Sequence, residues 1–285
     1  MQKWQRNYIL SIQTSGSNWI DITLPFTMNF RISRNTNASA NTARISILNL
    51  SKDTRLKIYK DKYTFDIYKG IELRAGYGDS KETLPIIFKG NIKQAYSQRN
   101  GVDYQTDIEC YDGGFAFLNG YTSKSFAAGT SDRQILYSLV KDLPAIDMGV
   151  IGNFEGSLPR GNAMEGATTD LIKSVSKSNF FIDNEKAYCL QDEECYRGNI
   201  TEISSASGLM GSPLREETML TFEMMFEPRL QIGQHIHLTS QTESLFNGNY
   251  KVIGVEHNGT ISDATSGRCV TKVTLYYGTK ALKIL

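Results

Sequence analysis

The stretch Phe26-Thr-Met-Asn-Phe-Arg-Ile-Ser33 decides the fold class of this chain. Apolar residues fall at every second position from Phe26 to Ile32, with polar residues between them. A period of two places the apolar side chains on one face of a β-strand, toward a core, and the polar ones in water. The same alternation returns at residues 43–47, 71–75 and 220–226. We therefore predict a mainly β protein.

Two local signals mark connections within the first β region. The Asn-Gly pair at residues 100–101 separates two strand-like runs, roughly Ile86–Tyr96 and Val102–Tyr111. Because Asn-Gly suits the left-handed angles of a type I′ turn, it predicts a β-hairpin. Ser51 is a suitable N-cap for one short helix over Lys52–Tyr59.

The middle of the chain has helical periodicity. A helix is predicted to start at Ser131, because apolar residues from Ile135 to Val140 then share one face. A second helix is predicted over Thr169–Lys177, followed by a compact hairpin whose turn is at residues 183–186. Residues 146–166 contain several glycines and no clear period, which predicts an irregular loop.

These patterns predict three parts. Residues 1–125 form a first β-barrel, residues 126–200 a small α+β domain, and residues 201–285 a second β-barrel. The sequences Gly90-Asn-Ile-Lys93 and Gly248-Asn-Tyr-Lys251 echo one another. Four residues can match by chance, so internal duplication and coincidence both stay open.

The overall charge restricts the class of partner. Lysine and arginine total 31, and aspartate and glutamate total 30, which argues against a dedicated nucleic-acid binder. The start of the chain has no apolar core long enough for a signal peptide, and no run is long enough to span a membrane. We expect a protein made in a cytoplasm, with reduced cysteines at positions 110, 189, 195 and 269.

Unevenly distributed charge indicates a candidate subunit interface. The first fifty residues are basic, and the second strand of the predicted hairpin carries acidic residues on one face. We predict that the acidic face of one chain meets the basic segment of a neighbour; the alternative is that both faces are simply solvated. The candidate interface residues are Arg31, Arg34, Arg44, Asp103, Asp107 and Glu109.

The sequence shows little sign of catalytic or metal chemistry. It has no Gly-x-Ser-x-Gly, His-Glu-x-x-His or phosphate-loop motif, so we expect no enzyme activity and no cofactor. His235 and His237 share a strand face and could bind zinc if a third ligand approached. We favour a wet strand face and no metal. Tyr59, Tyr63 and Tyr68 lie in a polar stretch and are the best candidates for exposed aromatic contacts, with local packing as the favoured alternative.

The order of several motifs resembles the baseplate hub proteins of contractile-tailed bacteriophages. In the first half these are Arg44-Ile-Ser-Ile-Leu-Asn-Leu-Ser51 and Phe88-Lys-Gly-Asn-Ile92. In the last third they are Phe226-Glu-Pro-Arg-Leu-Gln-Ile-Gly233, Asn247-Gly-Asn-Tyr-Lys-Val252 and Val255-Glu-His-Asn-Gly259. Each motif alone is loose, and their order over nearly the whole chain is what makes the resemblance specific.

The resemblance implies two tail-tube-like β-barrels that flank a helical or mixed insert. It implies a homotrimeric ring in the virion that joins the tail tube to the central spike. The implied partners are further copies of the chain, a tail tube or tube-initiator protein, the central spike protein and a tape measure protein, with DNA passing through the lumen. It implies no membrane and no sequence-specific nucleic acid. The alternative is a β-rich receptor- or carbohydrate-binding tail module.

Overall fold

Strands dominate the computed structural model, which describes residues 5–64, 67–78, 83–264, 267–278 and 281–285. Two β regions flank a mixed insert, which confirms the predicted fold class, mainly β with a small α+β part. The strands are β1 (Arg6–Gln13), β2 (Trp19–Thr23), β3 (Met28–Asn35), β4 (Asn41–Leu48), β5 (Gly70–Tyr77), β6 (Ile86–Asn100), β7 (Asp103–Asp112), β8 (Tyr121–Phe126), β9 (Asp147–Ile151), β10 (Asn162–Ala167), β11 (Phe181–Asp183), β12 (Lys186–Cys189), β13 (Glu194–Ser204), β14 (Leu209–Glu216), β15 (Met219–Met225), β16 (Gln234–Thr239), β17 (Gly248–Ile261), β18 (Cys269–Tyr276) and β19 (Lys283–Ile284). The α-helices are α1 (Lys52–Ile58), α2 (Gly114–Asn119), α3 (Asp132–Val140) and α4 (Thr168–Ser176).

Seven antiparallel strands enclose the core of the first β region. Their order is β3-β4-β7-β6-β5-β1-β2, so neighbours in the sheet are often distant in sequence. Every one of these strands contributes buried side chains to a single core, which includes Tyr8, Ile32 and Phe88. The alternation that predicted β3 is confirmed, because Met28, Phe30 and Ile32 are buried while the residues between them are not.

The predicted hairpin exists, but its turn differs from the expected type. Asn100 pairs with Asp103, so the two central residues of the turn are Gly101 and Val102. Gly101 has a φ of +64°, whereas Val102 stays outside the left-handed region. A single positive φ at the first central position is the pattern of a type II′ turn, and type I′ needs two. The strand register therefore puts the glycine one position earlier in the turn than predicted.

The two helix starts predicted from a serine are confirmed. The hydroxyl of Ser51 accepts a hydrogen bond from Thr54 N at 3.1 Å and caps α1. Ser131 caps α3 and forms a reciprocal capping box with Gln134. Such caps satisfy backbone N–H groups that the helix cannot pair itself, which is why the short polar side chains located these ends in the sequence.

The insert contains more strand than the sequence indicated, and the prediction of an irregular loop over residues 146–166 is wrong at both ends. β9 pairs in parallel with β12, and β10 pairs with β8. No residue of β9 is fully buried, so the strand leaves no alternation of apolar residues to detect. Residues 152–161 connect the two strands. A small core holds α3 and α4 together through residues that include Leu136, Leu139 and Ile172.

The second β region has its own core, built by β13 to β18 with residues such as Leu220, Phe222 and Val252. Its strands run in the order β14-β15-β18-β17, and β16 joins β17 to β13. Because β13 spans Glu194–Ser204, this region begins before the predicted boundary at residues 200 and 201.

One strand pair joins the two β regions into a continuous sheet. β3 lies antiparallel to β17 over eight residue pairs, from Met28 opposite Ile261 to Asn35 opposite Gly254. Phe226, Ile261 and Cys269 of the second region also pack into the first core. The sheet from β14 to β6 therefore runs across both β regions, with the cores behind it.

Candidate functional site

The outward side of the continuous sheet carries a band of charged side chains, which we call the charged face. Arg31 and Arg44 are the most exposed of these on β3 and β4, with 65% and 76% of each side chain accessible to solvent. They face outward because the alternate residues of both strands are buried in the core. Seven adjacent strands, from β15 to β6, each contribute one residue to the charged face. These residues are Glu223, Lys272, Glu256, Arg31, Arg44, Glu109 and Lys93.

Charges on this face are paired across strands. Arg44 lies opposite Glu109, with 3.8 Å between Nε and Oε1. A β-bulge in β6 turns Lys93 to the same side, where its Nζ lies 3.8 Å from the other Glu109 oxygen. Arg31 Nε donates to Glu256 Oε1 at 2.9 Å. Since these ion pairs are exposed, each contributes at most about 1 kcal/mol to stability.

These contacts change the predicted role of the acidic strand face. Glu109 was predicted to meet the basic segment of a neighbour, but it pairs with Arg44 of its own chain, because β4 lies beside β7 in the sheet. Asp107 accepts a hydrogen bond from Ser46, and Asp103 accepts one from Asn49 at 2.8 Å. Five candidates for a subunit interface stay open, and each already has a partner within its own chain. They are Arg31, Arg44, Asp103, Asp107 and Glu109.

Arg34 was wrongly assigned to that interface. The residue is only 2% exposed, and its side chain lies among the three parts of the chain. Nη1 donates to both carboxylate oxygens of Asp183 at 3.3 Å, and Nη2 donates to the carbonyl oxygen of Leu230 at 2.7 Å. The alternation of β3 already places position 34 on the inward side with Ile32. The charge of arginine favours the surface, but a buried ion-pair partner makes an inward arginine possible.

His257 completes this buried junction. Its Nε2 lies 3.2 Å from Arg34 Nη2, and its Nδ1 lies 2.9 Å from the hydroxyl oxygen of Thr271. A guanidinium group can only donate, so Nε2 must accept and the proton is on Nδ1. Burial, and then the neighbouring Arg34, hold the pKa of His257 well below its usual value. The histidine is therefore neutral at pH 7.

Carboxylates from two parts of the chain meet beside this arginine. Asp112 of β7 accepts hydrogen bonds from the backbone N–H groups of Asn184 and Glu185, at 2.6 and 2.9 Å. Glu185 in turn pairs with Lys89 Nζ at 3.0 Å and accepts a hydrogen bond from Tyr68. Burial, with Asp183 nearby, raises the pKa of Asp112 to about 8. The tight turn at residues 184–185, with positive φ at both, thus docks the insert on the first β region.

The remaining histidines show no metal geometry. His235 is half-buried and His237 is exposed on β16, and His237 Nδ1 lies 3.0 Å from Asn249 Oδ1. Within the described ranges, no group of three histidine, cysteine, aspartate or glutamate side chains is placed to hold a metal ion. Tyr59 and Tyr63 are exposed, whereas Tyr68 is tied to Glu185.

A family model decides the identity of the chain. The model described as "Baseplate hub gp41" matches residues 10–264, which is most of the sequence and includes both β regions and the insert. The chain belongs to the baseplate hub gp41 family. It is a structural protein of the phage tail, and the family places it in the baseplate of the virion. Among curated protein sequences, none matches it.

Solved structures share the hub fold over almost the whole chain. The 43 kDa tail protein of prophage MuSo2 from Shewanella oneidensis superposes with a TM-score of 0.59 at 8% identity, covering 95% of this chain and 98% of its own. A tail protein from Neisseria meningitidis MC58 gives 0.59 at 10% identity, with 94% and 96% covered. The Escherichia coli c3393 protein, a type VI secretion component described as similar to the T4 tail proteins gp27 and gp5, gives 0.61 at 9% identity, with 96% and 78% covered.

The resemblance seen in the motifs is thereby confirmed at the level of family and fold. The helices of the hub are short, and none in the described part of the chain is long and apolar enough to cross a membrane.

Proposed function

We propose that three copies of this hub form a ring that joins the tail tube to the central spike of a contractile tail. The observation that carries the proposal is the continuous sheet, in which the pairing of β3 with β17 sets two β regions side by side. Three such chains present six β regions around one axis, so the ring can match a sixfold tube on one side and a threefold spike on the other.

In this ring the charged face lines the central passage. Its arginines are paired with glutamates, Arg31 with Glu256 and Arg44 with Glu109, so that opposite charges neutralise one another. DNA binding strengthens with the number of phosphates that unpaired lysine and arginine neutralise. A wall of paired charges therefore lets DNA pass without holding it, and recognises no sequence.

The proposed partners are other copies of the hub, a tail tube or tube-initiator protein, the central spike and a tape measure protein. The hub acts by binding these chains and catalyses no reaction, in keeping with a sequence that has no positioned nucleophile or catalytic motif. It needs no metal or cofactor, and it is assembled into tails in the host cytoplasm.

A receptor- or carbohydrate-binding tail module is the second candidate. The exposed rings of Tyr59 and Tyr63, 57% and 70% accessible, favour it, because sugars stack on exposed aromatic side chains. A glycan array separates the two: a preferred glycan whose binding is lost in Tyr63→Ala supports the second candidate.

Cryo-electron microscopy of the assembled tail tests the ring. We expect three copies around the tail axis, with Arg31 and Arg44 facing the lumen. One or six copies at the hub position contradict the threefold ring. Three copies with these side chains facing the outside contradict only the assignment of the charged face.

A further inference from the structure

A cavity of about 550 Å³ lies between the turn after β1 and the segment that joins α1 to β5. Gln13 and Gly16 line one side. Tyr59, Lys60, Ile67 and Lys69 line the other. The cavity is open to solvent at a rim of apolar and aromatic side chains, and it contains two lysines that the fold has buried.

The two lysines are held rigidly. Each is only 8% exposed. Lys60 Nζ donates to the carbonyl oxygens of Ile67 and Ile92 at 2.6 and 2.7 Å. Lys69 Nζ donates to the carbonyl oxygens of Lys57 and Tyr59 at 2.8 and 3.1 Å. The backbone supplies these acceptors, so the ammonium groups keep their places without any ligand.

Among the described residues, no counter-charge lies beside Lys69. Carbonyl oxygens are neutral, and no carboxylate of the described residues lies within ion-pair distance of its Nζ. Asp61, the acidic residue of the lining, accepts a hydrogen bond from the backbone N–H of Tyr63 instead. An ammonium group has three donors, of which Lys69 uses two here. Burial, and then the charge of Lys60, lower the pKa of Lys69. An anion bound beside Lys69 would therefore stabilise its charged form.

The rim of the cavity has the composition of a protein-binding surface. Tyr59 and Ile67 of the lining, and Tyr63 close to them in sequence, are between 53% and 70% exposed. The surrounding segment, residues 51–69, carries six lysines and arginines against three aspartates, although the whole chain is almost neutral. Exposed aromatic and aliphatic side chains beside concentrated positive charge suit an acidic partner that also brings apolar side chains.

We propose that this cavity binds an aspartate or glutamate side chain from an acidic segment of another tail protein. The carboxylate accepts a hydrogen bond from the third donor of Lys69 and neutralises its charge, while an apolar neighbour in the same segment packs on Tyr59 and Ile67. The site goes beyond the ring model, since it is complete in one chain and does not depend on the number of copies.

The test uses the full-length chain and two acetylated, amidated heptapeptides, one of alternating leucine and glutamate and the other of alternating leucine and glutamine. We expect the glutamate peptide to bind at least about tenfold more tightly, because charge-assisted hydrogen bonds are about twice as strong as neutral ones. Fluorescence anisotropy measures both affinities. Lys69→Met should weaken glutamate-peptide binding about tenfold. Lys141→Met, which removes an exposed charge of the insert, should change it less than about twofold.

A second measurement uses the unaltered chain, so that it does not depend on the folding of a variant. The ¹³Cε signals of labelled lysine should show the pKa of Lys69 rising when the glutamate peptide is added. Equal losses in both lysine variants, equal affinity for both peptides, or an unchanged Lys69 signal at millimolar peptide would overturn the proposal. So would binding of a single-stranded oligonucleotide, but not the peptide, with the same dependence on Lys69.

Discussion

The guanidinium group of Arg34 lies 3.2 Å from the Nε2 atom of His257, at the point where both β regions and the insert meet. The residue opposite His257 on β3 is Ile32, so the arginine reaches the imidazole diagonally across the strand pair. The contact requires an uncharged ring. A proton on Nε2 would replace an acceptor by a donor and put a second positive charge beside the first.

Stability should therefore fall in mild acid. The pKa of His257 in the folded chain is well below its unfolded value near 6.5, so its contribution is fully present above pH 6.5 and is lost as the pH falls toward the folded pKa. Urea unfolding at pH 7 and pH 5 measures the loss. His257→Gln should reduce the difference between the two pH values, and the exposed His237→Gln should leave it unchanged. An equal pH dependence in the wild type and His257→Gln contradicts the assignment.

Removing Arg34 should destabilise the chain strongly. Arg34→Met leaves the buried carboxylate of Asp183 without its partner, a change that costs about 3–5 kcal/mol in comparable buried pairs. Arg31→Met removes an arginine from the same strand, but from an exposed ion pair, and should cost less than about 1 kcal/mol. Guanidinium unfolding gives both free energies. Similar values for the two variants would show that the junction contributes little.

Asp112 should make the opposite contribution to the pH dependence. Its pKa is about 8 in the folded chain and near 4 when unfolded, so the stabilisation is present below pH 4 and is lost as the pH rises through 8. A ¹³C NMR titration of the aspartate carboxyl groups should show one group titrating near pH 8, and Asp112→Asn should abolish that signal. The exposed Asp53→Asn is the control. Titration of every aspartate below pH 5 contradicts the prediction.

A charge swap distinguishes a lumen wall from a contact between subunits. Arg44→Glu should cost less than about 1 kcal/mol, because it opposes Glu109 on an exposed sheet face. Glu109→Arg added to it should restore only part of the loss, because the new arginine also lies beside Lys93. If the charged face lines the passage, the swapped variant assembles tails at wild-type yield. A swapped variant with wild-type melting temperature that fails to assemble places Arg44 or Glu109 against another chain.

The sequence predicted elements well and partnerships poorly. Alternation located β3, and the hydroxyl caps Ser51 and Ser131 located two helix starts, because these signals are local. The pairing of β4 with β7, which joins Arg44 to Glu109 in one chain, depends on sheet order and has no local signal. β9 was missed for the same reason, since its parallel partner β12 is distant and its residues are only half-buried.

For the candidate sites too, local properties were predictable and partners distant in sequence were not. Exposure was predicted correctly for Arg31 and Arg44. Tyr59 and Tyr63 are exposed, although local packing was the favoured prediction. The alternation of β3 indicates that Arg34 is buried, but no local pattern indicates its partners. Asp183 and His257 come from other parts of the chain. The buried lysines of the cavity gave no signal, because their acceptors are backbone carbonyl groups that any sequence provides.

The pairing of β3 with β17 also means that β3 is synthesised long before its partner strand. β3 leaves the ribosome about 220 residues before its partner, and at roughly 5–20 residues per second it waits on the order of 10–45 seconds with one edge unpaired. Nascent chains on neighbouring ribosomes of one messenger carry the same open edge, which is a template for pairing between chains. Slower translation of the last third should therefore lower the yield of soluble hub, even though the finished protein is unchanged.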